Sequence, residues 1–92
     1  MLLNLEQRLR VPADVLVSDL DGEMVMLNLK TEFYYGLDPI GSRMLNAVTA
    51  SESVAAAYSS LSTAFDADPE QLRADLLEMV DQLLEHGLLE VQ

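Results

Sequence analysis

The 92-residue chain has no cysteine and no tryptophan, and it holds only 3 prolines, 4 glycines and 1 histidine. Without cysteine there is neither a disulfide framework nor a thiolate metal site, and the composition fits a reducing compartment. The single histidine, His86, has no Cys or Ser partner at a known spacing, so it makes no catalytic or metal motif. Its position in the last turn of a predicted helix, where the macrodipole favours a cation, gives it a structural reading. Gly22, Gly36, Gly41 and Gly87 are isolated, and no glycine-rich phosphate loop exists. Basic residues are also scarce. Arg8, Arg10, Lys30, Arg43 and Arg73 are scattered among 16 acidic residues, for a net charge of −11. That balance disfavours nucleic acid and anionic membranes and suits a basic partner such as a cationic peptide. No apolar run approaches the roughly 20 residues that span a bilayer. The start, Met1 to Gln7, lacks the basic and apolar regions of a secretory signal, so a cytoplasmic chain is expected.

Half the residues are apolar, too many for a disordered acidic tail. The length predicts one small domain over 1–92, with an N-terminal segment at 1–11, a sheet at 14–37 and helices at 39–87. Val15 to Leu20 and Glu23 to Leu29 are β-prone and flank Asp21-Gly22. That dipeptide suits a type I′ turn, which needs φ > 0 at both central positions. A hairpin on this turn pairs 20 with 23, 18 with 25 and 16 with 27. Leu16, Leu20, Val25, Leu27 and Leu29 then share one face, expected to be the core face, with Met24 and Met26 on the other. A second tight turn at Lys30-Thr31 leads to a third strand, Glu32 to Leu37.

The rest of the chain reads as three helices. Asp38-Pro39 supplies an N-cap and a proline at N1 for the first, with Ile40, Met44, Leu45 and Val48 as its apolar members. The second is expected to start near Thr49–Glu52, capped by Thr49 or by Ser51, and shows a stripe of Val54, Tyr58, Leu61 and Phe65. Asp68 and Pro69 open the third, with Gln71 at N3. Its apolar residues, Leu72, Leu76, Leu77, Met79, Val80, Leu83 and Leu84, cover an arc of about 160°, wider than a helix needs against one layer. Either the helix is clamped between two elements or part of the stripe is left for a partner. Gly87 reads as its C-cap, followed by a short extended tail, Leu88 to Val91. The fold class is therefore α+β, a three-stranded antiparallel sheet followed by three α-helices, in the order of a winged helix-turn-helix.

That order invites a DNA-binding reading, but the would-be recognition helix sets Arg73 against Asp75, Glu78, Asp81 and Glu85. The acidic groups Asp19/Asp21/Glu23 and Asp66/Asp68/Glu70 lack the spacing of a calcium loop and have simpler roles in a turn and at a helix start. Nothing marks a carboxylate pair for acid–base work in so small a fold. No enzyme activity, metal or cofactor is expected. The most suggestive feature is Phe33-Tyr34-Tyr35, which puts large rings on both faces of the third strand. One reading makes the strand central, or its second ring covered by a helix. The other makes it an open edge that accepts a peptide by β-augmentation, with peptide side chains entering a trough beside the third helix.

The chain resembles the PqqD-like family, the recognition elements of ribosomally made, modified peptides. The resemblance rests on Pro12 and Asp14, on the hairpin leading to Leu27-Asn28-Leu29, and on the run from Tyr34 to Leu45. It continues through Phe65, Asp75-Leu76, Leu83-Leu84 and Gly87-Leu88-Leu89-Glu90, so it covers roughly residues 12 to 91. It implies a non-catalytic protein that binds the leader of a precursor peptide on the third strand and against the third helix. The Tyr-Gly-Leu-Asp-x-x-Gly run is similar to the discrete protein of lasso peptide pathways. The partners implied there are a leader peptidase of the cysteine protease type and an asparagine-synthetase-like cyclase. The Tyr-Pro-Glu-Gly run and the late tryptophan of the pyrroloquinoline quinone protein are absent, which places a quinone pathway with a radical enzyme second. The implied peptide-binding residues are Glu32, Phe33, Tyr34, Tyr35, Gly36 and Leu37 on the strand, and Leu72, Asp75, Leu76, Met79 and Leu83 on the helix. Asp75 and Glu78 are placed to meet basic leader residues, and Met79→Glu is expected to weaken binding without loss of the fold. A plain homodimerising domain, in which the aromatic strand meets a second copy, is the competing reading.

Overall fold

A computed structural model describes residues 4–92; the reading of the chain start at residues 1–3 lies outside the described residues. The elements run β1 (Leu9–Arg10), β2 (Val15–Leu20), β3 (Glu23–Asn28), β4 (Tyr34–Gly36), α1 (Pro39–Ala50), α2 (Val54–Ala64), α3 (Pro69–Glu85) and β5 (Glu90–Val91). β2, β3 and β4 form an antiparallel sheet in that order, so β2 and β4 are its edges. The expected α+β architecture is present. A second, two-stranded sheet joins β1 to β5, with Leu9 opposite Val91. That pairing links segments 81 residues apart through two residues each, too short to leave a periodic pattern in the sequence. No helix among the described residues is long and apolar enough to cross a membrane.

The β2–β3 hairpin has the expected register, with Leu20 opposite Glu23, Ser18 opposite Val25 and Leu16 opposite Leu27. Asp21 and Gly22 sit at φ 60° and 90°, as a type I′ turn requires. The expected core face is inverted. Met26 is fully buried, at 0% exposure, and Met24 packs against the core, whereas Leu16 and Leu20 are 53% and 61% exposed. Leu29 is also exposed and Val25 and Leu27 are half-buried. The buried Asn28 shows why the even-numbered face turns inward. Its Nδ2 donates to the carbonyl of His86 (3.1 Å), and its Oδ1 accepts from the amides of Lys30 (2.9 Å) and Thr31 (3.3 Å). An asparagine satisfied in this way ties β3 to the end of α3, and its neighbours two and four residues back must face the same side.

Asp38 caps α1 by accepting from Gly41 N–H at 2.7 Å, and Asp68 caps α3 by accepting from Glu70 N–H at 3.1 Å. The second helix starts later than expected, with Ser53 as its cap, accepting from Ala56 N–H at 3.0 Å. Thr49 belongs to α1, where its hydroxyl donates to the Leu45 carbonyl. Gly87 follows the C-cap His86 at φ 69°, and Leu88 N–H returns to the Leu83 carbonyl at 2.8 Å, closing α3.

The core gathers Met26, Leu37, Met44, Leu45, Val48, Val54, Ala57 and Leu61 around one face of α3. Leu72, Leu76, Met79, Val80 and Leu83 are buried there, and Leu77 and Leu84 pack against the core from its margins. The wide apolar stripe is thus a clamped helix rather than a vacant wall. Each such side chain contributes about 1.5–3 kcal/mol relative to exposure. Met79 is buried, so the expectation that Met79→Glu would spare the fold is corrected: a carboxylate there would lie among apolar groups.

A candidate peptide-binding edge

β4 is shorter than the expected Glu32–Leu37. Glu32 lies in the connecting turn, with φ 64°, and its N–H donates to the Asn28 carbonyl at 2.7 Å. Phe33 accepts at its carbonyl from Asn28 N–H, and Leu37 N–H donates to the Met24 carbonyl, both at 2.8 Å. Between them Tyr35 pairs with Met26. Alternation in an antiparallel ladder then turns the N–H and C=O groups of Tyr34 and Gly36 away from β3, toward the open edge. The edge offers up to four hydrogen bonds over three residues.

Ser42 shapes the end of this edge. Its Oγ accepts from Met24 N–H at 2.9 Å and donates to the Leu37 carbonyl at 3.3 Å. The hydroxyl replaces one direct ladder bond and lets the chain leave β4 into α1. Gly41 fits closely beside it: a Cβ there would come within 3.2 Å of both Asp38 Oδ1 and Leu37 Cδ2, so those side chains would have to shift.

Side chains on β4 and on Phe33 just before it divide by face. Phe33 and Tyr35 point to the helical side and pack against the core, with ring centroids 6.5 Å apart. Tyr34 points outward and is 72% exposed. Phe33 stacks on the His86 ring at 4.0 Å and 11°, which brings the start of β4 to the C-terminal end of α3. A cavity of about 510 Å³ lies there, lined by Asn28, Thr31, Phe33, Glu85, His86 and Gly87. Beyond the other end of β4, Ile40 and Arg43 share a second cavity of about 440 Å³ with Phe65, Gln71, Leu72 and Asp75. The Arg43 guanidinium carbon lies 4.3 Å from the Phe65 ring centroid. β4 and α3 therefore run alongside each other in opposite directions, with a cavity at each end.

The residues expected at the site fall into three groups. Tyr34 and Gly36 carry the open edge, while Phe33, Leu72 and Asp75 line its two cavities. Tyr35 is half-buried and Leu37, Leu76, Met79 and Leu83 are buried core, supporting the edge from beneath. Glu32 belongs to the turn. Sequence reasoning did not assign His86, Ile40, Arg43 or Gln71 to the site. The stack on Phe33 and the Gln71–Asp75 hydrogen bond of 2.9 Å arise from tertiary placement and from an i, i+4 spacing that is common on any helix. No group of three or more residues suited to hold a metal ion occurs among the described residues.

Comparisons with known proteins bear on this geometry. The family model described as coenzyme PQQ synthesis protein D matches residues 23–89. Among solved structures, TbiB1 in complex with the TbiA(beta) leader peptide superposes with a TM-score of 0.79 at 26% identity, covering 88% of this chain and 94% of that one. Lasso peptide synthetase B1 complexed with the leader peptide superposes with a TM-score of 0.78 at 19% identity, covering 90% and 98%. The search of curated proteins gave no match.

Proposed function

The chain belongs to the PqqD family, and from that premise we propose that it is a non-catalytic recognition protein for the leader segment of a ribosomally made precursor peptide of the lasso type. The observation that carries the reading is the β4 edge, whose Tyr34 and Gly36 backbone groups face an open flank beside α3. The leader adds to this edge as a further strand, with main-chain hydrogen bonds supplying affinity and the flanking cavities supplying selectivity. The two similar solved structures are complexes with leader peptides, which supports the same use here. Bound in this way, the leader is presented to a leader peptidase and an asparagine-synthetase-like cyclase, with residues 1–92 acting as one recognition domain.

Calorimetry of the purified chain with the leader of its cognate lasso-type precursor tests the binding step. Saturable heat at micromolar peptide is expected, and no heat at high micromolar peptide would overturn it. Reconstitution tests delivery: leader removal by the peptidase should accelerate when this chain is added. The PqqD precedent supports a second substrate class, the precursor peptide of a quinone cofactor. A competition between lasso-type and quinone-type precursor peptides decides between them.

A further inference from the structure

The face of the sheet turned away from the helices is apolar, and it ends unevenly at the open edge. Leu16, Leu27 and Tyr34 stand in one cross-strand row. The next row is Ser18, Val25 and Gly36. One row thus finishes on an exposed aromatic ring and the other on no side chain at all. Neither backbone conformation nor crowding requires glycine at position 36. Its φ is not among the positive values, and a Cβ built there meets nothing within 4 Å. The glycine leaves a notch floored by its own backbone, with Val25 beside it on β3 and Tyr34 two residues back on β4.

A strand added to β4 pairs its residues with those of β4, and directly paired residues project from the same face. The peptide residue opposite Tyr35 points toward α3, whereas the one opposite Gly36 emerges over the notch. We propose that the notch reads the bound peptide by taking a bulky apolar side chain, aromatic or branched, at the position that pairs with Gly36. This inference rests on the leader-binding reading and extends it: the peptide is selected on both faces of its strand, not only on the face toward α3. A large side chain over a cross-strand glycine covers the exposed flank of Val25 and the Tyr34 ring, a contact that stabilises strand pairs. A second copy of the chain is the poorer occupant. Each copy carries a charge of −11, with Glu23 on this same face and Asp21 at its turn, so two faces brought together repel.

The test is selection from a randomised peptide library displayed on phage against immobilised wild-type, Gly36→Leu and Gly36→Pro proteins, each shown to be folded by circular dichroism. Peptides selected on the wild type are expected to favour Phe, Tyr, Trp, Leu or Ile at one position. On Gly36→Leu that position should shift to Gly, Ala or Ser while the other preferences persist. Replacing the bulky residue of a selected synthetic peptide with Ala should weaken binding to the wild type about fivefold and leave binding to Gly36→Leu unweakened. Identical preferences on wild type and Gly36→Leu, with Gly36→Pro still abolishing binding, would overturn the notch and leave the β4 edge standing. Unchanged peptides and affinities on Gly36→Pro, or a library yielding no specific binder, would overturn the edge and the notch together.

Discussion

Among the described residues, β2 and β4 both leave backbone groups without a strand partner on their outer sides. On β2 the ladder turns Val17 and Asp19 outward; on β4 it turns Tyr34 and Gly36 outward. β2 is the longer edge, yet every side chain from Leu16 to Leu20 is exposed, and it presents a ribbon. β4 has half the length but lies alongside α3, with a cavity beyond each end. An unpaired strand supplies hydrogen bonds to any peptide, whereas a strand beside a helix also supplies places for alternate side chains. The edge proposed to take the leader thus differs from the other by its flank more than by its length.

Removing the flank should erase the difference altogether. Met79→Glu is expected to destabilise the fold by on the order of 3 kcal/mol, because the carboxylate would be buried without a partner. Urea denaturation checks it, and a midpoint equal to that of the wild type would show that α3 is looser than its burial indicates. Placing a proline on each edge in turn compares the edges directly. Gly36→Pro deletes an outward N–H on β4 and leaves the bonds to β3 intact, so leader affinity should fall about tenfold or more. Val17→Pro makes the same deletion on β2 and should leave affinity within about twofold. Fluorescence anisotropy with a labelled leader reads both, and equal losses would make the edges equivalent.

A smaller effect is expected where β4 joins α1. Ser42→Ala strands Met24 N–H and the Leu37 carbonyl and should cost about 1–3 kcal/mol of stability by urea denaturation. Leader affinity should fall with it as the end of β4 loosens. The smallest effect concerns charge. Asp75 lines one cavity and is hydrogen-bonded to Gln71 on the surface, so Asp75→Asn should slow association with a basic leader only a few-fold. The slowing should vanish at high salt in stopped-flow measurements.

Much of this architecture was legible in particular residues. Asp21-Gly22 forces a two-residue turn, which sets the hairpin register, and Asp38-Pro39 and Asp68-Pro69 mark two helix starts. The register did not reveal which face is inside. Both faces of β3 carry large apolar residues, Val25 and Leu27 against Met24 and Met26, so hydrophobicity alone does not choose. Asn28 reveals the choice, through partners near the end of α3 that lie 58 and 59 residues away. The aromatic run Phe33-Tyr34-Tyr35 pointed to a strand that the structure places at a sheet edge. The helix side was left open by the sequence, because a wide apolar stripe looks the same whether it is clamped in a core or free for a partner. The cap of the second helix was expected at Thr49 or Ser51 and lies at Ser53, because α1 runs on through Ala50 and takes Ser51 as its own C-cap.

The β1–β5 pairing has a consequence for how the chain is made. The three-stranded sheet is complete in sequence by Gly36, but Arg10 cannot meet Glu90 until the last turn of α3 has been synthesised. At cellular elongation rates the first strand waits about 4–16 s for its partner. Throughout that interval Met26 and the rings of Phe33 and Tyr35 lack the α3 side chains that complete the core they later join. The nascent sheet therefore exposes two edges and an apolar face at once, and its safest early companion is a chaperone or the rapid arrival of α1.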